Sequence, residues 1–233
     1  MNEYDKNYGN YGVQENAVVV TMNKVYSWMT LALVATALTA MYVAHSETIL
    51  GFVFGNSAMP WILMLAEVGV VMYLSARINS ISFTTALTLF GVYSILNGVV
   101  LSVILLVYEL STIYAAFFAT AGTFAAMSFI GYTTKKDLSG LGGILVMGVI
   151  GLVIASLVNI FFHNDTLTSI ITYAGVFIFV GLTAYDTQKI KNMLAYSNGV
   201  DQRKIGLIGA LSLYLDFINL FLYILRLLGS RRD

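Results

Sequence analysis

Seven long apolar runs dominate this chain and restrict its fold more than any other feature. Each run has about twenty residues and almost no charge inside it, which is the length that a helix needs to cross about 30 Å of hydrocarbon. The predicted membrane spans lie near residues 25–45, 60–77, 83–107, 112–132, 141–162, 168–190 and 206–228.

Helix is the secondary structure that suits runs of this kind. In lipid, every backbone N–H and C=O must be paired within its own segment, and these runs are too long and too evenly apolar for barrel strands. The only proline, Pro60, stands at the start of the second run, where it removes no helical hydrogen bond. The chain is 58% hydrophobic and only 10% charged. We therefore predict an all-α integral membrane protein with seven transmembrane helices.

Polar segments flank this membrane domain. The sequence predicts a disordered tail over residues 1–23, which are rich in Tyr, Gly and Asn. It predicts the seven-helix domain over residues 24–229 and a short C-terminal tail over residues 230–233. The 12 Lys+Arg balance the 12 Asp+Glu, so no basic field favours nucleic acid, and the absence of cysteine excludes thiol chemistry. We expect the lipid bilayer as partner, with no nucleic acid, no cofactor and no enzymatic activity.

The basic residues predict the orientation in the membrane. A cytoplasmic amino terminus places the following basic residues on the inner side and leaves the outer loops without any: Lys6, Lys24, Arg77, Lys135, Lys136, Lys189, Lys191, Arg203 and Lys204. The last run either crosses the membrane, which leaves Arg231 and Arg232 outside, or re-enters, which keeps both termini inside. We favour crossing because the run is long enough.

Two aspartates lie at matching depth in the last two predicted helices. Asp186 and Asp216 are each 15 residues from residue 201, in the polar turn between those helices. In an antiparallel hairpin, equal distance from the turn means equal depth, so the two carboxylates can meet. Charges near the bilayer centre cost at least about 2.5–3.5 kcal/mol each, so they usually have a task or a partner. Two such carboxylates tend to share one proton, which predicts a proton sensor; structural ion pairing is the alternative.

A polar stripe runs along the last predicted helix. Its members recur at steps of four, three, four and three residues: Ser212, Asp216, Asn219, Tyr223 and Arg226. Because such a stripe cannot face lipid, we expect this helix at the centre of the bundle, lining a cavity or pore. A hydrogen-bonding seam between helices is the alternative.

Two further pairings follow from depth alone. Arg77 ends the second span on the inner side and could latch the two aspartates. Glu67, nearer the outside, could pair with Arg226 at the outer end of the last span. These pairings would form one gate at each end of the striped helix.

Two long segments resemble the signatures of a known family. GLTAYDTQKIK (181–191) and ALSLYLDFINLFLYILRLLG (210–229) resemble the sixth- and seventh-helix signatures of the Bax inhibitor family, also called the transmembrane Bax inhibitor motif family. AEV (66–68) and KKDLS (135–139) extend the resemblance across essentially the whole transmembrane part. We expect a bacterial member in the inner membrane.

The resemblance implies a seven-helix fold with a central last helix and a pH-sensitive calcium leak. Asp186 and Asp216 stand at the two sensor positions, and Arg77 is the candidate for the latching arginine. Calcium, the expected permeant ion, prefers six to eight oxygen ligands. The two carboxylates with Ser212 and Asn219 supply fewer, so we expect weak calcium binding.

Other functions remain open from the sequence. The chain could bind a partner membrane protein without conducting ions; eukaryotic relatives of the family suppress cell death, and bacterial ones have been linked to membrane-protease control. An intramembrane aspartyl protease also pairs aspartates on two helices, but Asp216 lacks the preceding Gly-x-Gly, and no proline follows Pro60. Span 206–228 has no lysine for retinal, and His45 and His163 lack metal-ligand spacing.

Overall fold

The structure is a computed structural model that describes the backbone of residues 3–197 and 201–229, with side chains from residue 16 onward. Every element in this described part is an α-helix. The helices are α1 (Glu3–Ala44), α2 (Glu47–Phe54), α3 (Met59–Arg77), α4 (Phe83–Val107), α5 (Leu110–Thr133), α6 (Ser139–Phe162), α7 (Asp165–Ala195) and α8 (Gln202–Leu228).

Seven of the described helices are long and apolar enough to cross a membrane. They are α3 to α8 over their full lengths and the part of α1 from Asn16 to Ala44. The bounds of α4 coincide with the predicted span 83–107. The prediction of an all-α membrane protein with seven spans is confirmed.

Burial along α1 begins before the predicted start of the first span. Thr21 and Met22 are already buried, so these residues pack against protein. Residues 16–23 of the predicted tail therefore belong to helix α1. The side chains of residues 1–15 lie outside the described part of the chain, as does the predicted C-terminal tail, residues 230–233.

Two local features shape the segment that leads from the first span into the second. The short helix α2 was not predicted; the Ser46 hydroxyl caps it by accepting from the Ile49 N–H at 3.4 Å, and Glu47 complements the dipole of its first turn. Pro60 occupies the first turn of α3, as predicted, where its missing N–H costs no helical bond.

Two compact units make up the chain. Unit 1 consists of Met1–Val103 and Ile190–Leu211, and unit 2 consists of Ile104–Lys189 and Ser212–Asp233. Unit 1 thus holds α1 to α3 and most of α4, whereas unit 2 holds α5, α6 and most of α7. Helix α8 contributes to both, and its part from Ser212 onward belongs to unit 2.

Close backbone approach joins helices in unit 1. A Cβ atom on Gly98 of α4 would lie 2.6 Å from the carbonyl oxygen of Thr36 in α1, so a larger residue would push the two helices apart. The buried hydroxyl of Thr36 donates to the carbonyl oxygen of Ser94 at 2.9 Å. Small and hydroxyl-bearing residues stabilise helix pairs in lipid, where the hydrophobic effect between helices is absent.

The same kind of contact joins α5 and α7 in unit 2. A side chain on Gly131 would collide with the backbone carbonyl of Ala184. Nearby, the hydroxyl of Thr187 donates to Ser128 Oγ at 3.4 Å. This contact fixes the stretch of α7 that carries Asp186.

Helix α8 is the most enclosed of the seven spans. In the most apolar 18-residue stretch of α8, 61% is buried, whereas the buried share of the corresponding stretch is at most 39% in any other span. In unit 2, the ring of Phe217 packs edge-on against Phe117 and Phe124 of α5, with ring centroids 5.8 and 5.4 Å apart. The prediction of a central last helix is confirmed.

Candidate functional site

A cavity of about 620 Å³ lies within unit 2, between α6, α7 and α8. Most of its wall is apolar, formed by Val146, Val149, Leu152, Phe179 and Leu182. Polar groups come from α7 and α8, whereas α6 contributes only glycine and aliphatic side chains. The cavity is thus apolar on one side and charged on the other.

Asp186 and Asp216 both line this cavity. The structure therefore brings together the two aspartates that the sequence places at equal depth, and they are close enough to interact electrostatically. Asp216 is only 5% exposed, and its Oδ2 atom has no hydrogen-bond donor among the described residues. Buried polar atoms normally have a partner, so this oxygen is available to a proton or a cation that enters the cavity.

The polar stripe of α8 faces the same cavity as far as Tyr223. Ser212, Asn219 and Tyr223 all line it, together with Asp216. The Asn219 amide donates to the carbonyl oxygen of Leu215 at 2.8 Å, within its own helix, which fixes the orientation of the side chain.

The stripe ends at Tyr223, whose ring is held from two sides. It stacks on Phe179 with centroids 5.7 Å apart and fills the space beside Gly175. Arg226, the last predicted member, is exposed and does not line the cavity. Its guanidinium instead lies 5.5 Å from the centroid of the Tyr223 ring.

Sequence reasoning missed the two α7 residues that flank Asp186 in the cavity. Lys189 lines it, and its Nζ lies 5.6 Å from the centroid of the Tyr185 ring, which also lines it. The spacing of Asp186 and Lys189, three residues apart on one helix face, was the available signal.

Sequence reasoning also missed that the Gln188 side chain of α7 anchors the loop between α5 and α6. Gln188, which is 8% exposed, accepts from the Leu138 N–H at 2.8 Å and donates to the Lys136 carbonyl at 2.9 Å. It thereby fixes the loop between α5 and α6 two residues from Asp186. In the same loop, hydrogen bonds from the Ser139 hydroxyl and N–H lower the pKa of the Asp137 carboxyl.

Glu67 and Arg77 lie in unit 1, whereas Asp186, Asp216 and Arg226 lie in unit 2. Within unit 1, Glu67 Oε1 accepts from the buried amide of Asn97 at 3.4 Å. Arg77 is an exposed residue that ends α3. The inner latch and the outer ion pair both stay predictions from depth.

The two histidines lie away from the cavity. His45 and His163 are exposed, and the His45 ring nitrogen lies 2.7 Å from the Met41 carbonyl oxygen in the last turn of α1. Among the described residues, no three His, Asp or Glu side chains are grouped to hold a metal ion.

Comparisons with known proteins agree with the signatures in α7 and α8. Residues 18–233 match the family model described as inhibitor of apoptosis-promoting Bax1. The chain is 48% identical over 224 residues to the inner membrane protein YbhL of Escherichia coli (strain K12), covering 94% of this chain and 96% of that protein.

Proteins of two other bacteria are also similar to the chain. The chain is 42% identical over 226 residues to an uncharacterized protein of Borreliella burgdorferi, covering 94% of this chain and 97% of that protein. It is 42% identical over 214 residues to the uncharacterized protein RP147 of Rickettsia prowazekii, with 91% and 90% covered. Because the family model and these relatives match nearly the whole membrane part, the chain belongs to the Bax inhibitor family.

Proposed function

We propose that this protein is a pH-sensitive cation leak, with calcium as the permeant ion and the Asp186–Asp216 pair as proton sensor and cation site. The observation that carries the proposal is that both carboxylates line one cavity in the membrane-spanning part of the chain. Carboxylates at membrane depth usually mark ion or proton pathways, because their burial is costly. The family resemblance of α7 and α8 supports the same function.

The cation would be held weakly. Two carboxylates, the Ser212 hydroxyl and the Asn219 amide oxygen are fewer than the six to eight oxygens that calcium prefers, so water completes the shell. Weak binding suits conduction, since an ion must leave a site as readily as it enters it. We therefore propose a transit site and not a storage site.

Protons would control this site in two stages. While the pair is negative, attraction to Arg77 would hold the inner gate closed, and a first shared proton would weaken that attraction. A second proton would remove the charge that attracts a cation. Flux should therefore rise and then fall as the pH drops, with a turning point that belongs to the pair.

The proposed setting is the inner membrane of a bacterium. The name of the Escherichia coli relative supports this location, and the positions of the basic residues support a cytoplasmic amino terminus.

Calcium flux into sealed vesicles containing the purified protein tests the function. Measured between about pH 5 and 8, the wild-type profile should be bell-shaped, because the pair takes up its two protons in separate steps. Asp186→Asn and Asp216→Asn should each flatten it, because either change abolishes the shared proton. The matched control is Asp165→Asn, which alters an exposed acid at the start of α7 and should keep the bell.

Two results would contradict the proposal. An unchanged pH profile in both aspartate variants would remove the pair as the sensor. An absence of flux in the wild-type protein would instead favour the alternative, a non-conducting regulator that binds another membrane protein.

A further inference from the structure

One side chain of the protein, Lys189, places a positive charge in the wall of the cavity. Among the described residues that line it, Lys189 is the only one with a positively charged side chain. The charged and ionisable groups around it are Asp186 and Tyr185 on α7 and Asp216 and Tyr223 on α8, while α6 presents none. The Lys189 ammonium attracts both carboxylates electrostatically.

An aromatic ring positions this ammonium. Lys189 Nζ lies 5.6 Å from the centroid of the Tyr185 ring, within the range of a cation–π contact. That ring is itself confined, because it fills the space in which a side chain on Gly142 would stand. The glycine of α6 thus leaves room for the ring, and the ring contacts the ammonium in the cavity that Asp186 and Asp216 also line.

We infer that Lys189 is a tethered cation that competes with the permeant ion for the Asp186–Asp216 pair, and that it lowers the affinity of the site for divalent ions more than for monovalent ions. This inference rests on the proposed cation site. Without a bound ion, the ammonium offsets part of the negative charge of the pair. An entering ion must share the carboxylates with it or displace it.

The chemistry of lysine suits this role. Its ammonium is a compact charge on a flexible four-carbon stem, and Lys189 is exposed, so the side chain can turn away when an ion arrives. Repulsion between two cations grows in proportion to their charges, so a divalent ion is repelled twice as strongly as a monovalent ion at the same distance. Lys189 would therefore set the selectivity of the site, whereas the aspartates provide its affinity.

Calcium binding to the purified full-length protein tests the competition directly. Calorimetric titration with calcium, at two sodium concentrations, should show that Lys189→Met tightens calcium binding by about tenfold and sodium binding by less. Lys189→Arg keeps the charge and should restore binding to near the wild-type value. Lys189→Gln provides a second neutral variant if the methionine variant does not fold.

The matched control is Lys135→Met. Lys135 is an exposed lysine of unit 2 that does not line the cavity, so its removal changes the net charge equally. Calcium affinity should stay within about twofold of the wild type, because screened charges interact weakly at a distance.

The outcomes separate this inference from the proposed leak. Unchanged or weaker calcium binding in both neutral variants overturns the inference, as does equal tightening in Lys135→Met or an absence of calcium binding in every variant. If the neutral variants bind more tightly but no variant conducts in vesicles, the competition stands and the leak fails. If the wild type conducts through the aspartates and Lys189→Met changes neither affinity nor selectivity, the leak stands and the inference fails.

Discussion

The phenol ring of Tyr185 occupies the space that a side chain on Gly142 would need. This contact between α7 and α6 lies at the cavity, next to Asp186 in sequence. It links the packing of two helices to the position of the proposed sensor. The relationship is one of shape, because the ring needs the space that the absent side chain of Gly142 leaves open.

Replacing Gly142 by alanine should force the Tyr185 ring to move. We expect Gly142→Ala to lower the free energy of unfolding by about 1–2 kcal/mol through overpacking, measured by thermal unfolding in detergent. Gly143→Ala is the control, since no atom lies within 4 Å of its added Cβ and alanine favours helix. Equal melting temperatures for the two variants would contradict the steric role of Gly142.

Removing the Gln188 side-chain amide should loosen the loop between α5 and α6. Gln188→Leu leaves the Leu138 N–H and the Lys136 carbonyl without their partner, which we expect to cost about 1–3 kcal/mol. Hydrogen exchange at the Leu138 amide should become faster. Gln188→Glu keeps the acceptor and should keep this amide protected; equally fast exchange in both variants would show that Gln188 does not anchor the loop.

The proposed latch predicts a gain of flux. Arg77→Ala should raise calcium flux in vesicles at neutral pH by at least about fivefold, because the charge that holds the inner gate closed is gone. Arg77→Lys keeps that charge and should stay close to the wild type. Arg203→Ala, which removes an exposed arginine paired with Asp201 at 3.1 Å, is the control. A neutral-pH flux that is unchanged or lower in Arg77→Ala would remove Arg77 from the gate.

The orientation can be tested with single cysteines, since the natural chain has none. Tyr196→Cys, at an exposed position just after α7, should resist membrane-impermeant thiol reagents in intact cells and react after the cells are opened. Glu109→Cys, at an exposed position before α5, should react in intact cells. The reverse pattern would overturn a cytoplasmic amino terminus.

Some of the candidate site could be predicted by counting residues. Asp186 and Asp216 line the same cavity because the depth of a residue in a helical hairpin depends only on its distance from the turn. The same counting selected Ser212, Asn219 and Tyr223 as one face of α8. It failed at Arg226, which is exposed and does not line the cavity, although its guanidinium lies 5.5 Å from the centroid of the Tyr223 ring.

The sequence by itself determined the seven spans, the helical class and the depth of the aspartates. Each of these depends on order along the chain: a bilayer requires a set number of consecutive apolar residues, and helical rise converts that number into depth. Helix α4, over Phe83–Val107, therefore coincides with its prediction. An apolar helix is stable in lipid whichever way it is rotated about its axis. The apolar runs therefore do not determine which face of each helix contacts its neighbours.

Only the tertiary structure decided those contacts. It placed Lys189 in the cavity, set Gln188 against the loop at Leu138, and packed the Tyr185 ring beside Gly142. These contacts join residues that are distant in sequence, and they depend on side-chain shape and on the rotation of each helix about its axis. An apolar pattern carries little of that information, because lipid and a neighbouring helix both accept the same aliphatic side chains.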